Sequence, residues 1–277
     1  MRWQVPQAQS MPGPAAMVDT PRHDHHNSSS DAPMDRFRVD LIAATPNPQQ
    51  CVYAAMHQDY SEGFVAGDRA NWPDEQRAGE LCVKRLLSGE RGHYGPMEHA
   101  QIVLNVGWFP HSVMQQARTH RVGVSFDVQS MRYTGERICR AADGALDLEE
   151  VFYLRPIGEY SDRQGKKYAY TEALRQQDLD LCRSAAERYR DLLRAGFAEE
   201  HARGILPFDY RQHFVVSFSL RAFLHFMDLR AKLDAQLEIR QLCDLMWPHM
   251  VNWAPEFAAW DETVSYTHLR AHETQFD

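Results

Sequence analysis

The chain has 277 residues, of which 44% are hydrophobic and 11% aromatic, and its formal net charge at pH 7 is -8. A chain of this size buries a substantial core, as one large domain or two small ones. The acidic balance argues against nucleic acid and anionic membranes as partners, because proteins that bind them non-specifically present a positive field over one face.

The N-terminal segment 1–34 is rich in Pro, Gln, Ser and His and has almost no contiguous apolar pattern. This composition is typical of disorder, so we expect a disordered extension here. Polar and apolar residues alternate over 36–42, which predicts a first strand. We place a folded domain over 35–262 and a loose tail over 263–277, where the sequence has no clear apolar face.

The first half of the folded domain mixes helical and strand periods. Helical spacing over 47–61 and 74–88 predicts two helices. Alternation over 99–108 predicts a strand, and a helix is predicted over 112–118, after Pro110.

The second half begins with a long amphipathic segment over 162–195, which we predict to be helical. Its expected core positions are all leucines: Leu174, Leu181, Leu192 and Leu193.

Further elements follow towards the C-terminus. A short helix is predicted over 198–206, a strand over 212–218, and helices over 220–229 and 233–251. Helices interspersed with short strands predict an α+β fold, in which a mixed sheet is flanked by helices.

A dense polar run follows the helix predicted over 112–118. Arginines, a histidine, amides and hydroxyls fall within nineteen residues, at Gln115, Gln116, Arg118, Thr119, His120, Arg121, Ser125, Asp127, Gln129, Ser130, Arg132 and Tyr133. Arginine forks match phosphate or carboxylate bidentately and stay charged at any working pH. We interpret the run as a cradle for a polar anion; the alternative is a solvated helix end with incidental charge.

A second polar group lies towards the C-terminus, at Arg203, Ser219, Arg221, His225, Arg230, Asp234, Gln236, Glu238 and Arg240. Arg221 and His225 are four residues apart, so one helix face carries both. A salt-bridged helix surface would account for part of the group. Arg203 lies in a segment otherwise apolar on that side, where a guanidinium needs a ligand or an acidic partner.

Cysteine and histidine usage bears on location and on metals. Five cysteines are scattered without CxxC spacing, and an odd number cannot close completely into intrachain disulfides. This favours a reducing cytoplasm. No apolar run approaches the roughly 18 residues of a membrane helix. Outside the terminal segments no histidine pair has zinc-ligand spacing, so we expect no metal.

Two motifs together resemble the signature of the flavin-dependent thymidylate synthases. The run Arg118-Thr119-His120-Arg121, followed by Ser130-Met131-Arg132-Tyr133, is similar to that family's Arg-His-Arg, serine and Arg-Tyr pattern. The resemblance extends over about residues 36 to 260. Further matches within this range are Glu98-His99, Gln116, Arg203 before Leu206-Pro207, Asp228-Leu229-Arg230 and Ala235 to Arg240. The combination is specific, although no single motif would be.

The resemblance implies that family's fold and activity: methylation of dUMP to dTMP, with methylenetetrahydrofolate as the carbon donor, NADPH as the reductant and FAD as the hydride relay. It also implies a homotetramer whose active sites are shared between subunits, and it makes 35–262 the catalytic domain. The alternative is a non-catalytic nucleotide-binding protein of the same fold.

The family's functional residues carry over by match. Arg230 and Ser130 are the candidate catalytic residues; Ser130 has no adjacent general base in sequence, so we assign it to dUMP binding and not to covalent attack. The residues implied for dUMP are Gln116, Ser130, Met131, Arg132, Arg203 and Arg230. Those implied for FAD are His99, Arg118, His120, Arg121, Ser219 and His225.

Three positions depart from the family pattern. Thr119 stands where the first arginine of the triplet would be. The spacing from Arg121 to Ser130 is one residue longer than the commonest pattern. Asp234 replaces a histidine that some members carry near the flavin.

Overall fold

The computed structural model describes residues 36–88, 92–162 and 164–263. Our expectations for the N-terminal extension and, apart from Thr263, for the C-terminal tail lie outside the described residues. The described part of the chain forms a four-stranded sheet and a separate hairpin, with helices packed around them. The α+β class predicted from the sequence is confirmed.

The strands, in chain order, are β1 (Arg38–Ala44), β2 (Gln101–Pro110), β3 (Val124–Val128), β4 (Gly158–Ser161), β5 (Lys167–Tyr170) and β6 (Arg211–Ser219). The main sheet has the order β1-β2-β6-β3, and β4 pairs with β5. Every described pair is antiparallel, where we had expected a mixed sheet.

The main core lies on one face of this sheet. Ile102, Leu104 and Val106 alternate along β2 and are fully buried. In the register of β2 with β6, Ile102 faces Phe218 and Leu104 faces Val216. The alternation of side chains that predicted these strands therefore corresponds to the side chains that enter the core.

The α-helices, in chain order, are α1 (Pro48–Gln58), α2 (Glu75–Cys82), α3 (His111–Ala117), α4 (Met131–Thr134), α5 (Glu136–Ala142), α6 (Glu172–Arg194), α7 (Glu199–Ala202), α8 (Leu220–Arg230) and α9 (Leu237–Trp253). Single turns of 3-10 helix lie at Gly95–Glu98, Leu148–Glu150 and Arg203–Ile205, and a π-helical turn, Val83–Leu87, continues α2. A further helical segment covers 255–263.

The helices predicted around the sheet are confirmed, with shifted ends. The last of them begins at Leu237 and not at 233, because residues 231–235 form turns and Gln236 is its N-cap. Within the described ranges, no helix combines the length and apolar character that crossing a membrane requires.

The helix predicted over 162–195 was wrong in its first third. Residues 162 and 164–171 belong to the β4–β5 hairpin and its exit, and α6 begins at Glu172. Gly165 takes a left-handed conformation with φ 81°, which suits glycine in a tight turn. The Asp162 carboxylate accepts hydrogen bonds from the backbone amides of Gln164 and Lys166, at 2.8 and 2.9 Å. These local bonds compete with helix formation.

Two of the four leucines expected in the core of α6 are on its surface. Leu174 and Leu181 are 44% and 62% exposed, so those assignments were wrong. Leu192 is buried as expected, and Leu193 packs partly buried beside it. The buried face of α6 instead runs through small residues and Tyr189, which pack closely on α5 and form a second core. Leucine spacing alone could not reveal this shift.

We expect Gly135→Ala to lower the free energy of unfolding by about 1–3 kcal/mol, the usual cost of overpacking. A Cβ at this buried position would overlap the hydroxyl of Tyr189 and lie 3.1 Å from the carbonyl oxygen of Met131. Tyr189 is itself fully buried and cannot retreat into solvent. The midpoint of urea denaturation measures the effect.

Gly204→Ala is the matched control, because a Cβ there meets nothing within 4 Å. Its midpoint should match or slightly exceed that of the parent protein. Equal midpoints for the two variants would contradict the packing described at Gly135.

Candidate active site

The polar run predicted as an anion cradle begins at the C-terminal end of α3. The chain leaves this helix in a tight turn, in which the amides of Thr119 and His120 donate to the carbonyl oxygens of Gln116 and Ala117. β6 leads directly into α8, which ends at Arg230. α8 thus brings Arg230 beside the α3 turn.

Arg230 and His120 form the central contact of this site. The Nε of Arg230 donates to Nε2 of His120 at 3.0 Å. Its Nη2 donates to Oγ1 of Thr119 at 2.9 Å and to the carbonyl oxygen of Gln116 at 3.4 Å. Residues 110 positions apart in the chain are thereby joined.

The contact fixes the state of the imidazole. Nε2 can accept from a guanidinium only when it carries no proton, so His120 is neutral with its proton on Nδ1. The pKa of His120 is lowered to about 4 by burial, by the charge of Arg230 and by His225. The ring of His225 lies 5.7 Å from that of His120. The contact therefore joins a permanent cation to a histidine that is neutral at physiological pH.

Thr119, the departure from the family triplet, has a direct place in this contact. Its hydroxyl donates to the carbonyl oxygen of Gln116 at 2.7 Å and accepts from Arg230. Threonine thus supplies an acceptor to Arg230 at the position where the family pattern has a cation. The motif alone did not indicate this role.

The longer spacing from Arg121 to Ser130 contains a strand that we had not predicted. The chain turns at Gly123, whose φ is 70°, and then runs as β3 along the edge of β6. Gly123 is required here, because a Cβ would overlap Oγ of Ser219 and because φ is in the left-handed region. β3 ends at Val128, two residues before Ser130.

The segment after β3 carries three of the residues predicted for dUMP. Ser130 is the N-cap of α4, and its side chain makes no capping hydrogen bond. Met131 is 4% exposed and packs in the second core. It can meet a ligand only through its backbone. Arg132 is exposed, with its guanidinium 5.7 Å from the centre of the Tyr133 ring.

Several predicted arginines share a feature that separates an anion cradle from a salt-bridged surface. Within the described ranges, no ion pair to an acidic side chain is formed by Arg118, Arg121, Arg132, Arg203 or Arg230. Arg203 thus has no acidic partner there, and it is exposed. Arg221 instead pairs with Glu98 at 2.5 Å, so the salt-bridge interpretation holds for this residue.

Three residues predicted for the flavin differ in their surroundings. His225 is exposed on α8, close to His120. His99 is exposed and directly follows Glu98, which the Arg221 pair ties to α8. Ser219 is 1% exposed, and its hydroxyl accepts from the amide of Ala222 at 3.2 Å. This geometry favours a capping role for Ser219, and its contribution to flavin binding stays a prediction.

The titration of His120 tests this arrangement. We expect NMR of the ring to show a neutral imidazole until the pH falls to about 4. In Arg230→Met the pKa should rise, because one repulsive charge is removed, but it should stay below 6.5, because burial remains.

The lowered pKa of His120 also makes the free energy of unfolding depend on pH. An unfolded His120 takes up its proton near pH 6.5 and the folded one near 4, so this residue lowers the free energy of unfolding as the pH falls through that window. An unchanged pKa in Arg230→Met would mean that the two side chains are not in contact.

Comparison with known proteins identifies the family. The family model described as thymidylate synthase complementing protein matches residues 40–256. The flavin-dependent thymidylate synthase of Haloarcula marismortui is 31% identical over 237 residues, which cover 79% of this chain and 92% of the relative. The protein of the same name from Nitratidesulfovibrio vulgaris is 30% identical over 222 residues, covering 77% of this chain and 82% of the relative.

Solved structures share the fold. Thymidylate synthase X from Helicobacter pylori, determined with FAD and dUMP, matches with a TM-score of 0.57 at 16% identity, over 76% of this chain and 92% of that one. The UMP/dUMP methylase PolB from Streptomyces cacaoi, bound with 5-Br UMP, matches with a TM-score of 0.59 at 21% identity, over 81% and 94%. The family model spans most of the chain and the relatives align over nearly their whole length, so this protein belongs to the thymidylate synthase complementing protein family, the flavin-dependent thymidylate synthases.

Proposed function

We propose that this protein methylates dUMP to dTMP, with methylenetetrahydrofolate as the carbon donor and FAD relaying hydride from NADPH. The observation that carries the proposal is the Arg230–His120 contact, together with the absence of acidic partners for the predicted site arginines in the described ranges. The names of the relatives and the FAD and dUMP bound in the Helicobacter pylori structure support it. The domain carrying this activity would extend over 35–262.

The arginines suit the nucleotide monophosphate. Phosphate oxygens accept several hydrogen bonds, and guanidinium forks supply them in the matching geometry. We assign Arg132 and Arg203 to dUMP, together with the hydroxyl of Ser130 and the backbone of Met131. Gln116 completes the set from α3.

Arg230 is the proposed catalytic cation. Its Nε and Nη2 are held by His120 and Thr119, while Nη1 has no hydrogen-bond partner in the described ranges. Nη1 is therefore available to a carbonyl oxygen of the uracil ring. A fixed positive charge there stabilises negative charge that develops on the ring, and costs little reorganisation during the reaction.

FAD fits the remaining donors. Its pyrophosphate needs cations, and the exposed Arg118 and Arg121 are available beside the α3 turn. His120 is neutral and presents Nδ1–H, so it can donate a hydrogen bond without adding charge. His99, His225 and Ser219 complete the proposed set. When bound, FAD supplies the hydride chemistry, and the protein supplies position and charge.

We further propose a cytoplasmic homotetramer whose active sites are shared between subunits. Exposure of Arg118, Arg121, Arg132 and Arg203 on one protomer fits a site that a neighbouring subunit completes. Every cysteine of the chain is a free thiol, as suits a reducing compartment.

The experiment that tests the function combines a visible spectrum with an assay of dTMP. We expect flavin absorbance in the purified protein, bleaching by NADPH under anaerobic conditions at a rate that dUMP changes, and dTMP formation once methylenetetrahydrofolate is added. If dUMP binds but no flavin is retained after incubation with FAD, the alternative stands, and the protein is a non-catalytic nucleotide binder.

Arg230→Ala should abolish dTMP formation while FAD stays bound, because the lost charge faces the nucleotide. We expect turnover to fall at least about 100-fold, as for other removed groups that stabilise transition-state charge. Arg194→Ala is the control, since Arg194 lies on α6 with its side chain 63% exposed. Loss of the yellow colour in Arg230→Ala would instead place Arg230 at the flavin.

A further inference from the structure

Glu238 is a fully buried acid at the start of α9. Its carboxylate accepts from Nε of Arg155 at 2.8 Å, from the hydroxyl of Tyr153 at 3.1 Å and from Nε2 of Gln236 at 2.7 Å. Burial alone would raise the pKa of Glu238, but the hydrogen bond from Gln236 and the charge of Arg155 outweigh it, and the pKa is lowered. Glu238 is thus ionised and acts only as an acceptor.

An acceptor at this place fixes the amide of Gln236. Its NH2 group must face Glu238, and it also lies 3.3 Å from Oγ of Ser112. The carbonyl oxygen of Gln236 is consequently left for a donor from Gln116, at the other end of α3 from Ser112. It accepts a hydrogen bond from Nε2 of Gln116.

The hydrogen bond to Gln236 in turn orients the amide of Gln116. Because its NH2 group is turned to Gln236, its carbonyl oxygen is the end that remains. No residue in the described ranges donates to that oxygen, and the side chain is only half-buried. The backbone carbonyl of Gln116 is also held by Arg230, which keeps the residue at the centre of the site.

We propose that Glu238, acting through Gln236, orients the Gln116 amide so that its carbonyl oxygen accepts a hydrogen bond from the nucleotide. Glu238 and Gln236 are then positioning residues, and Gln116 determines specificity. The inference rests on the proposed function, because it deepens the role of Gln116 towards dUMP.

The chemistry of the ligand follows from this polarity. An acceptor selects a donor, and dUMP offers two: N3–H of the uracil ring and the 3′-hydroxyl of the sugar. Nucleotide dCMP has an acceptor at N3 and lacks that donor. The 2′,3′-dideoxy analogue of UMP lacks the hydroxyl. A polar group that loses its hydrogen-bond partner in a binding site costs affinity. The relay of hydrogen bonds from Glu238 through Gln236 to Gln116 should therefore discriminate against one of these two analogues.

The test measures dissociation constants of dUMP, dCMP and the dideoxy analogue by calorimetry on the full-length protein. Gln236→Met breaks the relay but leaves Arg155 and Tyr153 on Glu238. We expect the affinity for dUMP to fall about tenfold, the value of one hydrogen bond. The affinity for the analogue that lacks the selected donor should change less than about twofold, and that analogue identifies the donor.

A double-mutant cycle of Gln236→Met with Gln116→Met distinguishes a positioning role of Gln236 from a merely structural one. In that background Gln236→Met should have no further effect on dUMP affinity, because the relay acts only through Gln116. Gln176→Met, on the exposed side of α6, is the matched control and should bind dUMP as the parent does. If Gln236→Met does not fold, Glu238→Gln removes the charge at constant shape and should give the same selective loss.

The relay would be overturned if Gln236→Met lost affinity equally for dUMP and both analogues, or if it lost no affinity for dUMP. The parent protein is measured first. If it binds no dUMP and forms no dTMP, the proposed function fails. If both are intact, the variants decide the relay alone.

Discussion

The site depends on one constraint: the imidazole of His120 must stay neutral for Arg230 to sit against it. A protonated ring would place two cations in a partly buried contact and would remove the acceptor that Nε of Arg230 uses. Burial and Arg230 itself lower the pKa of His120 to about 4. The contact therefore reinforces itself, because the cation that needs the neutral ring also keeps it neutral.

This constraint explains how an acidic protein can carry a basic site. The chain has a net charge of -8, yet the arginines of the predicted site form no ion pair to an acidic side chain in the described ranges. Elsewhere in the described ranges, arginines such as Arg155, Arg175 and Arg190 are paired with carboxylates. Charge is thus neutralised where it serves the fold and left open where an anionic ligand can approach. A local field of this kind draws a nucleotide to one place and leaves the rest of the surface unattractive to polyanions.

Much of the fold could be predicted from sequence, because β2, β6, α3 and α8 carry strong periods that tertiary packing preserves. The hairpin before α6 could not, since Asp162 and Gly165 set it through local hydrogen bonds and a left-handed turn within a segment of helical spacing. The α6 leucines were misjudged because closely packed small residues, and not the largest apolar ones, face α5.

The site shows the same division. The residue types of the site could be predicted from the sequence, since arginines, a histidine and hydroxyls in one short run indicate anion binding. Their hydrogen-bond partners could not be predicted, because only the fold brings Arg230 to His120 and Gln116 to Gln236. Sequence gave no reason to connect Glu238 with Gln116, although both stand in motifs that the family shares.

The two halves of the proposed site rest on different hydrophobic clusters. His120, His225 and Arg230 are held by α3 and α8, which pack into the main core. Met131 anchors the segment that carries Ser130 and Arg132 in the second core.

Buried Arg211 ties these clusters together. At the start of β6, its guanidinium donates to the carbonyl oxygens of Glu149 and Trp108, both at 2.7 Å. Glu149 follows Leu148 of the second core, whereas Trp108 belongs to β2 of the main sheet. These hydrogen bonds connect the cluster that carries the proposed nucleotide-binding segment to the one that carries the Arg230–His120 contact, so apolar packing is not alone in holding their separation. Fixed charges can preorganise a reaction only if that separation is constant, and a buried arginine with two carbonyl partners provides such a tie.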